Sequence, residues 1–349
     1  SFALAYLLTK ESSFKIRAIA ILYLSASLFV IFKSKAQQGV LVFGLVSLVV
    51  LYFELRNYFH SKTLQFGYVF TFAIFASIAI AGSLQKGPLS TLLYRTSVTQ
   101  RGDYWHAGIN MLLANPLTGV GLDSYGDWYR FFRTNDAAAR FEGAVVTNSA
   151  HNVFIDIAST AGLFALVSYL LIIFFALKSS WKIYKTNYTL NPLFISVFAG
   201  WIGYLAQSLI SINNIGLGIW GWTLPGLLIA MERWQCEDTN RETKKPIKQK
   251  KIDFSGMFMS AGIAIGFVIG YMPFNVDANF RHALELGDSD KIHIYVNKWP
   301  TDSARYLYAA KIYQSNSLNE KAIELARNAV KLNPLSFENW QFLYQSTVI

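Results

Sequence analysis

Histidine is scarce in this chain, five in 349 residues, and one of them sits in SAHNVFIDIASTAG (Ser149–Gly162), directly before an apolar run. An imidazole with an ordinary pKa of about 6.5 is the side chain best suited to accept a proton near neutral pH. A guanidinium complements it, because its planar fork holds phosphate oxygens in pairs and stays charged. Arg101 opens the stretch RGDYWHAGINMLLANPLTGVGLDSY, one helical turn before Trp105 and on the same face. Together His151 and Arg101 would supply a base and an anion clamp. Taken alone, each has a plainer role, since a histidine at a membrane edge can simply be solvated and an arginine can snorkel or cap a helix. Asp123 and Asp127 lie four apart, but two carboxylates without a third ligand make a weak metal site. No metal and no cofactor is expected. The single Cys236 excludes an internal disulfide and a CxxC site, and neither a P-loop GxxxxGK[ST] nor an HExxH motif occurs.

The elements that must position these residues belong to a membrane protein. The chain is 53% hydrophobic and only 15% charged, against about 25% charged in soluble domains. Its mean hydropathy is +0.31. Seven segments approach the ~20 apolar residues of a spanning helix: 18–32, 39–55, 65–84, 161–177, 192–210, 215–231 and 255–273. The opening SFALAYLL reads as the tail of an eighth. A start without Met and a stop inside a repeat read as a fragment.

Charge sets the orientation. Loops 9–17, 56–64, 178–191 and 232–254 hold 3, 2, 3 and 7 basic residues, whereas 33–38 holds 2 and 211–214 none. The positive-inside rule makes the richer set cytoplasmic. The net charge of +10 is then a topology signal, and KKPIKQKK (Lys244–Lys251) faces anionic lipid rather than nucleic acid. The loop 85–151 and the tail 274–349 fall outside. The expected fold is all-α: a polytopic transmembrane helical bundle over 1–273, with a large extracytoplasmic loop, and a C-terminal α-helical repeat module over 274–349. In the tail, Pro300 and Pro334 are 34 residues apart, the tetratricopeptide period. That register puts Tyr306, Ala310, Tyr313, Ala322 and Ala329 at packing positions, with Trp340 repeating Tyr306, and predicts helices over 302–315 and 318–331. An unspecific helical hairpin is the alternative, and either would bind a protein partner or act as a spacer.

Within the loop, Trp105, Ile109, Leu112 and Leu113 predict an amphipathic helix. Asn115–Pro116 ends it, because the residue before proline avoids the helical region. Gly119 and Gly121 then allow a tight turn or a close backbone approach.

An arginine, three residues, a tryptophan, a helix, NPLTGVGLDSY, and later AHN with a small-residue turn before a span resemble the O-antigen ligase/polymerase family. The resemblance runs from about Phe29 to Trp222. It implies a glycosyltransferase of the bacterial cytoplasmic (inner) membrane. The implied donor is an undecaprenyl-diphosphate-linked glycan, transferred on the extracytoplasmic face to a hydroxyl of a glycan, lipid or protein acceptor. By this resemblance Arg101 matches an arginine that contacts the donor diphosphate, and His151 the candidate base. A second family arginine follows an earlier span; here the matching stretch is KSKAQQG, and Lys35 stands in its place. Lysine neutralises phosphate as a point charge without the fork, and Gln37 and Gln38 could add hydrogen bonds. Arg95, Arg130, Arg133 and Arg140 either gather the anionic donor or are solvated. Tyr104, Trp105, Tyr125, Trp128 and Tyr129 either stack on sugars or form an interfacial belt. Asn152 either orients His151 and meets the acceptor, or caps the following helix, the favoured reading. Two rival functions remain, a small-anion transporter of the bicarbonate type and a membrane scaffold that presents the tail.

Overall fold

A computed structural model describes residues 1–10, 12–35, 37–59, 61–83, 96–140, 145–186, 190–243 and 254–348. Among them the secondary structure is helical without a strand. In chain order the helices are α1 (Phe2–Leu8), α2 (Phe14–Lys33), α3 (Gln37–Tyr58), α4 (Lys62–Ser83), α5 (Thr96–Ala114), α6 (Tyr125–Phe132), α7 (Asn135–Ala139), α8 (Val153–Thr186), α9 (Pro192–Ser208), α10 (Ile215–Thr243), α11 (Ser255–Leu286), α12 (Ser289–Val296), α13 (Ser303–Ser315), α14 (Asn319–Leu332) and α15 (Phe337–Val348). Five are long and apolar enough to cross a membrane: those beginning at Phe14, Gln38, Val153, Ile215 and Gly256. The protein is thus a multi-pass, all-helical membrane protein. The spans expected at 65–84 and 192–210 also form helices, of which 62–78 is the apolar part of the first and the second is a 17-residue helix.

The chain divides into two compact units, Ser1–Lys245 and Pro246–Ile349. In the first, α9 is the central helix. It starts with Asn191 as N-cap, whose side chain accepts from Leu193 N, and with proline at its first position, where a missing N–H does no harm. Phe194, Ile195, Val197 and Trp201 are at most 1% exposed, packed with Val50 and Phe53 of α3, Ala176 of α8 and Leu224 and Leu228 of α10. The outward faces of α2 and α8 are lined by exposed Ile19, Leu22, Phe164 and Phe174. That distribution suits a bundle whose solvent is lipid.

In the second unit α11 runs unbroken through Pro273, past the point where the apolar run was expected to end the span. Phe258, Ile263, Phe267 and Ile269 are each 65–70% exposed, whereas Phe280 and Ala283, three turns on, are buried among tail residues. One helix therefore serves as both apolar span and first element of the tail's core. The paired helices α13 and α14 match the expected 302–315 and 318–331 to within a residue. Tyr306, Ala310, Tyr313, Ala322 and Ala329 are at most 6% exposed, and Trp340 is 51% exposed with its indole N–H on the Pro334 carbonyl.

Candidate functional site

The site is built where a break in α8 receives a loop. At Gly162 the backbone adopts φ 80° and ψ −178°, a region open to almost no other residue. The break frees the Ser159 and Thr160 carbonyls and the Leu163 N–H from their ordinary helical partners. The loop after α5 takes up all three. Val120 N donates to Ser159 O (2.8 Å), Gly121 N donates to Thr160 O (3.0 Å), and Leu163 N donates to Pro116 O (2.8 Å). The approach is too close for side chains. A Cβ on Gly119, itself at φ 65°, would lie 2.4 Å from the Thr160 carbonyl carbon, and one on Gly162 would lie 2.2 Å from Leu117 O. The NPLTGVG segment is thus a backbone splint, and α5 ends before Pro116 as its sequence predicts.

The splint fixes α5 against the first turns of α8, and aromatic residues fill the space between. Tyr125 and Tyr129 of α6 are 1% and 2% exposed and pack with Tyr104, Met111 and Ala150. The Tyr125 hydroxyl donates to the Tyr104 carbonyl, and the Tyr104 and Tyr129 rings meet edge to face at 5.7 Å. The expectation that Tyr125 stacks on a sugar therefore gives way: its ring has no face left, because this small subdomain uses it as core. Tyr104, at 9% exposed, is also largely interior. Trp105 and Trp128 are partly exposed, Trp128 resting on Phe131 and Phe132.

The turn before α8 holds His151 in a left-handed conformation, φ 54°, which costs a non-glycine residue about 1–3 kcal/mol and persists only where neighbours over-determine it. They do so here. His151 N donates to Ser149 Oγ (3.0 Å), Thr147 Oγ1 donates to Ser149 O (2.8 Å), and Ala150 N donates to Asp156 Oδ1 (2.6 Å). Asn152 Oδ1 accepts from Phe154 N and Ile155 N, while its Nδ2 donates to Leu209 O at the end of α9 (3.2 Å). Asn152 is 7% exposed; it caps α8 and ties that cap to α9, so its carboxamide is committed to the scaffold. Asp156, a carboxylate inside an apolar run, anchors the turn that carries His151.

The His151 ring stacks on Tyr104, 5.4 Å between centroids and 29° apart in plane. Burial, and secondly the charge of Arg101, push its pKa below the ordinary value. The two residues at opposite ends of the loop are therefore electrostatic neighbours. Burial also lowers the pKa of Arg101, partly offset by Tyr104. Among the described residues, Arg101 Nε and Trp105 Nε1 are buried donors that meet no acceptor. A buried N–H left unpaired costs about 1–3 kcal/mol. Two such donors one helical turn apart, one on a cation, beside a ring kept neutral, make a place that an anion with several oxygens would stabilise.

The remaining candidates spread outward. Lys35 is exposed at φ 53° in the turn between α2 and α3. Gln38 accepts from Gln207 Nε2 (3.2 Å) near the end of α9, two residues from the carbonyl that Asn152 holds, so both lie at the His151 end of the bundle. Arg133 Nη1 donates to Val145 O (3.3 Å) and Arg140 pairs with Asp103 (2.8 Å), binding the outer part of the loop to itself. Arg130 is exposed on α6. Arg95 lies outside the described residues. No three of His, Cys, Asp or Glu gather as metal ligands among the described residues.

Residues 19–170 match the family model described as O-antigen ligase. That stretch runs from α2 into α8 and contains Lys35, Gln38, Arg101, the splint and His151. A search of curated proteins finds no match.

Proposed function

From an O-antigen ligase-like stretch that spans the whole site, which supports a membrane glycosyltransferase-like role, we propose that the protein transfers a glycan from an undecaprenyl-diphosphate donor to an acceptor hydroxyl on the extracytoplasmic face. The observation that carries this reading is an imidazole held below its ordinary pKa by burial and by the charge of a half-buried guanidinium, whose buried Nε has no protein acceptor. Arg101 holds the diphosphate, aided by the Trp105 N–H, with Lys35 adding charge from the neighbouring turn. The acceptor oxygen attacks the anomeric carbon and loses its proton to the free nitrogen of His151. The bond from the anomeric carbon to the phosphate oxygen breaks, and its electron pair stays on that oxygen, where negative charge grows beside Arg101. The protonated imidazole then gives up its proton to water. The donor's own phosphate link drives the reaction, so no nucleotide is needed.

A transfer assay with purified protein, a lipid-diphosphate glycan and a panel of acceptor hydroxyls tests this. Removing a general base lowers rates by about 10²–10⁴. We expect His151→Ala to fall in that range and Arg101→Ala at least as far, both variants inserting and melting like the parent. Unchanged transfer in either would dismiss the mechanism.

A further inference from the structure

From the Gly162 break, α8 runs 20 residues to Lys182, about 30 Å at 1.5 Å per residue, which is about the thickness of a hydrocarbon core. At that far end, away from His151, a cavity of about 340 Å³ opens between α8 and α10. Its composition changes along the helix axis. Ile172, Phe175 and Ile229 line the part nearer the bundle's middle, and Lys178, Lys182 and Arg233 line the end. Among the described lining residues Glu232 is the single carboxylate and is taken by Lys182 at 2.8 Å, so these residues carry a net excess of two positive charges. Lys178 and Arg233 are exposed.

An apolar slot that opens into a basic rim between two spans fits an amphiphile with an anionic head. We propose that this cavity binds an anionic phospholipid, its phosphate between Lys178 and Arg233 and the first part of an acyl chain against Phe175 and Ile229. A soluble anion would use the rim but gain nothing from the apolar slot. A zwitterionic lipid would use the slot but gain little from the rim. The proposal does not depend on the transfer reaction, and its test reads lipid retention rather than activity.

Full-length protein in detergent, titrated with dioleoyl phosphatidylglycerol or dioleoyl phosphatidylcholine and read by native mass spectrometry, decides it. Each basic side chain near a lipid surface is worth about 1 kcal/mol, or roughly fivefold. The Lys178→Gln/Arg233→Gln pair should therefore weaken phosphatidylglycerol retention roughly 25-fold, whereas Lys10→Gln/Lys15→Gln should leave it unchanged. Glu232→Gln removes the carboxylate charge beside Lys182 and should strengthen retention roughly fivefold, a gain that a merely misfolded variant cannot mimic. Equal retention of the two lipids, a fall with Glu232→Gln, or displacement by millimolar glycerol phosphate as effective as by lipid would overturn the proposal.

Discussion

At the scale of single residues, His151 is defined by what its neighbours deny it. Burial and the Arg101 charge both favour the neutral ring, so the form able to accept a proton persists below histidine's usual range. The sign is definite: lowering the folded pKa extends the neutral form toward acid. Transfer should hold its rate as pH falls to about 6.5 and decline only below it. A half-activity point above that value would count against His151 as the base. Replacing Arg101 with Gln removes the charge but keeps much of the packing, so the His151 titration, followed by NMR of labelled histidine, should move up. Asp156 gives a second test. Asp156→Ala deletes the acceptor of Ala150 N and should lower the turnover number by roughly ten- to a hundredfold, following a loss of about 1–3 kcal/mol, with little change in donor KM. Asp156→Asn keeps an oxygen in place and should recover most of that loss; equal damage by both would indicate that the charge, not the turn, matters. The residue types proposed for the chemistry could be singled out in the sequence because imidazole and guanidinium are chemically distinctive. Asp156 was not, since a carboxylate in an apolar run looks the same whether it anchors a turn or faces water.

At the scale of elements, the sequence announces where helices start and stop more clearly than what they touch. Asn115–Pro116 ends α5, Asn152 caps α8, and Gly162 falls where the apolar run was expected to begin. The splint between them was not legible, because its three hydrogen bonds are made by main-chain atoms and leave no side-chain pattern. Its glycines leave one that can be tested. Gly119→Ala and Gly162→Ala each push a Cβ into another segment's backbone at 2.2–2.4 Å, at a helical break that cannot relax by rotating a side chain. Each should destabilise by about 2 kcal/mol or more and shift the melting temperature down by several degrees. Gly67→Ala in α4, with open space around it, should be neutral or stabilising by up to about 1 kcal/mol. The aromatic residues were the harder case. Tyr104, Tyr125 and Trp128 have the composition of a sugar platform and of a core alike, and only burial separates the two.

For the whole molecule, the length of the apolar runs was sufficient to place a helix at each of the seven expected spans. The join between bundle and tail was not readable, since α11 passes Pro273 without a break and contributes Phe280 and Ala283 to the tail's core. The orientation inferred from basic loops leads to a labelling experiment. With Cys236 changed to Ser, a cysteine placed at exposed Leu122 should react with a membrane-impermeant maleimide added from outside intact cells, and one at Lys185 should react only after the membrane is opened. The reverse pattern would put the site on the cytoplasmic side, where a lipid-diphosphate glycan displayed outside could not reach it. The splint also creates a blind spot for mutagenesis. Because Val120 contributes a peptide N–H to the Ser159 carbonyl, trimming its partly buried side chain should cost packing alone, while Val120→Pro, which deletes that hydrogen, should abolish the proposed transfer through a bond no alanine survey would test.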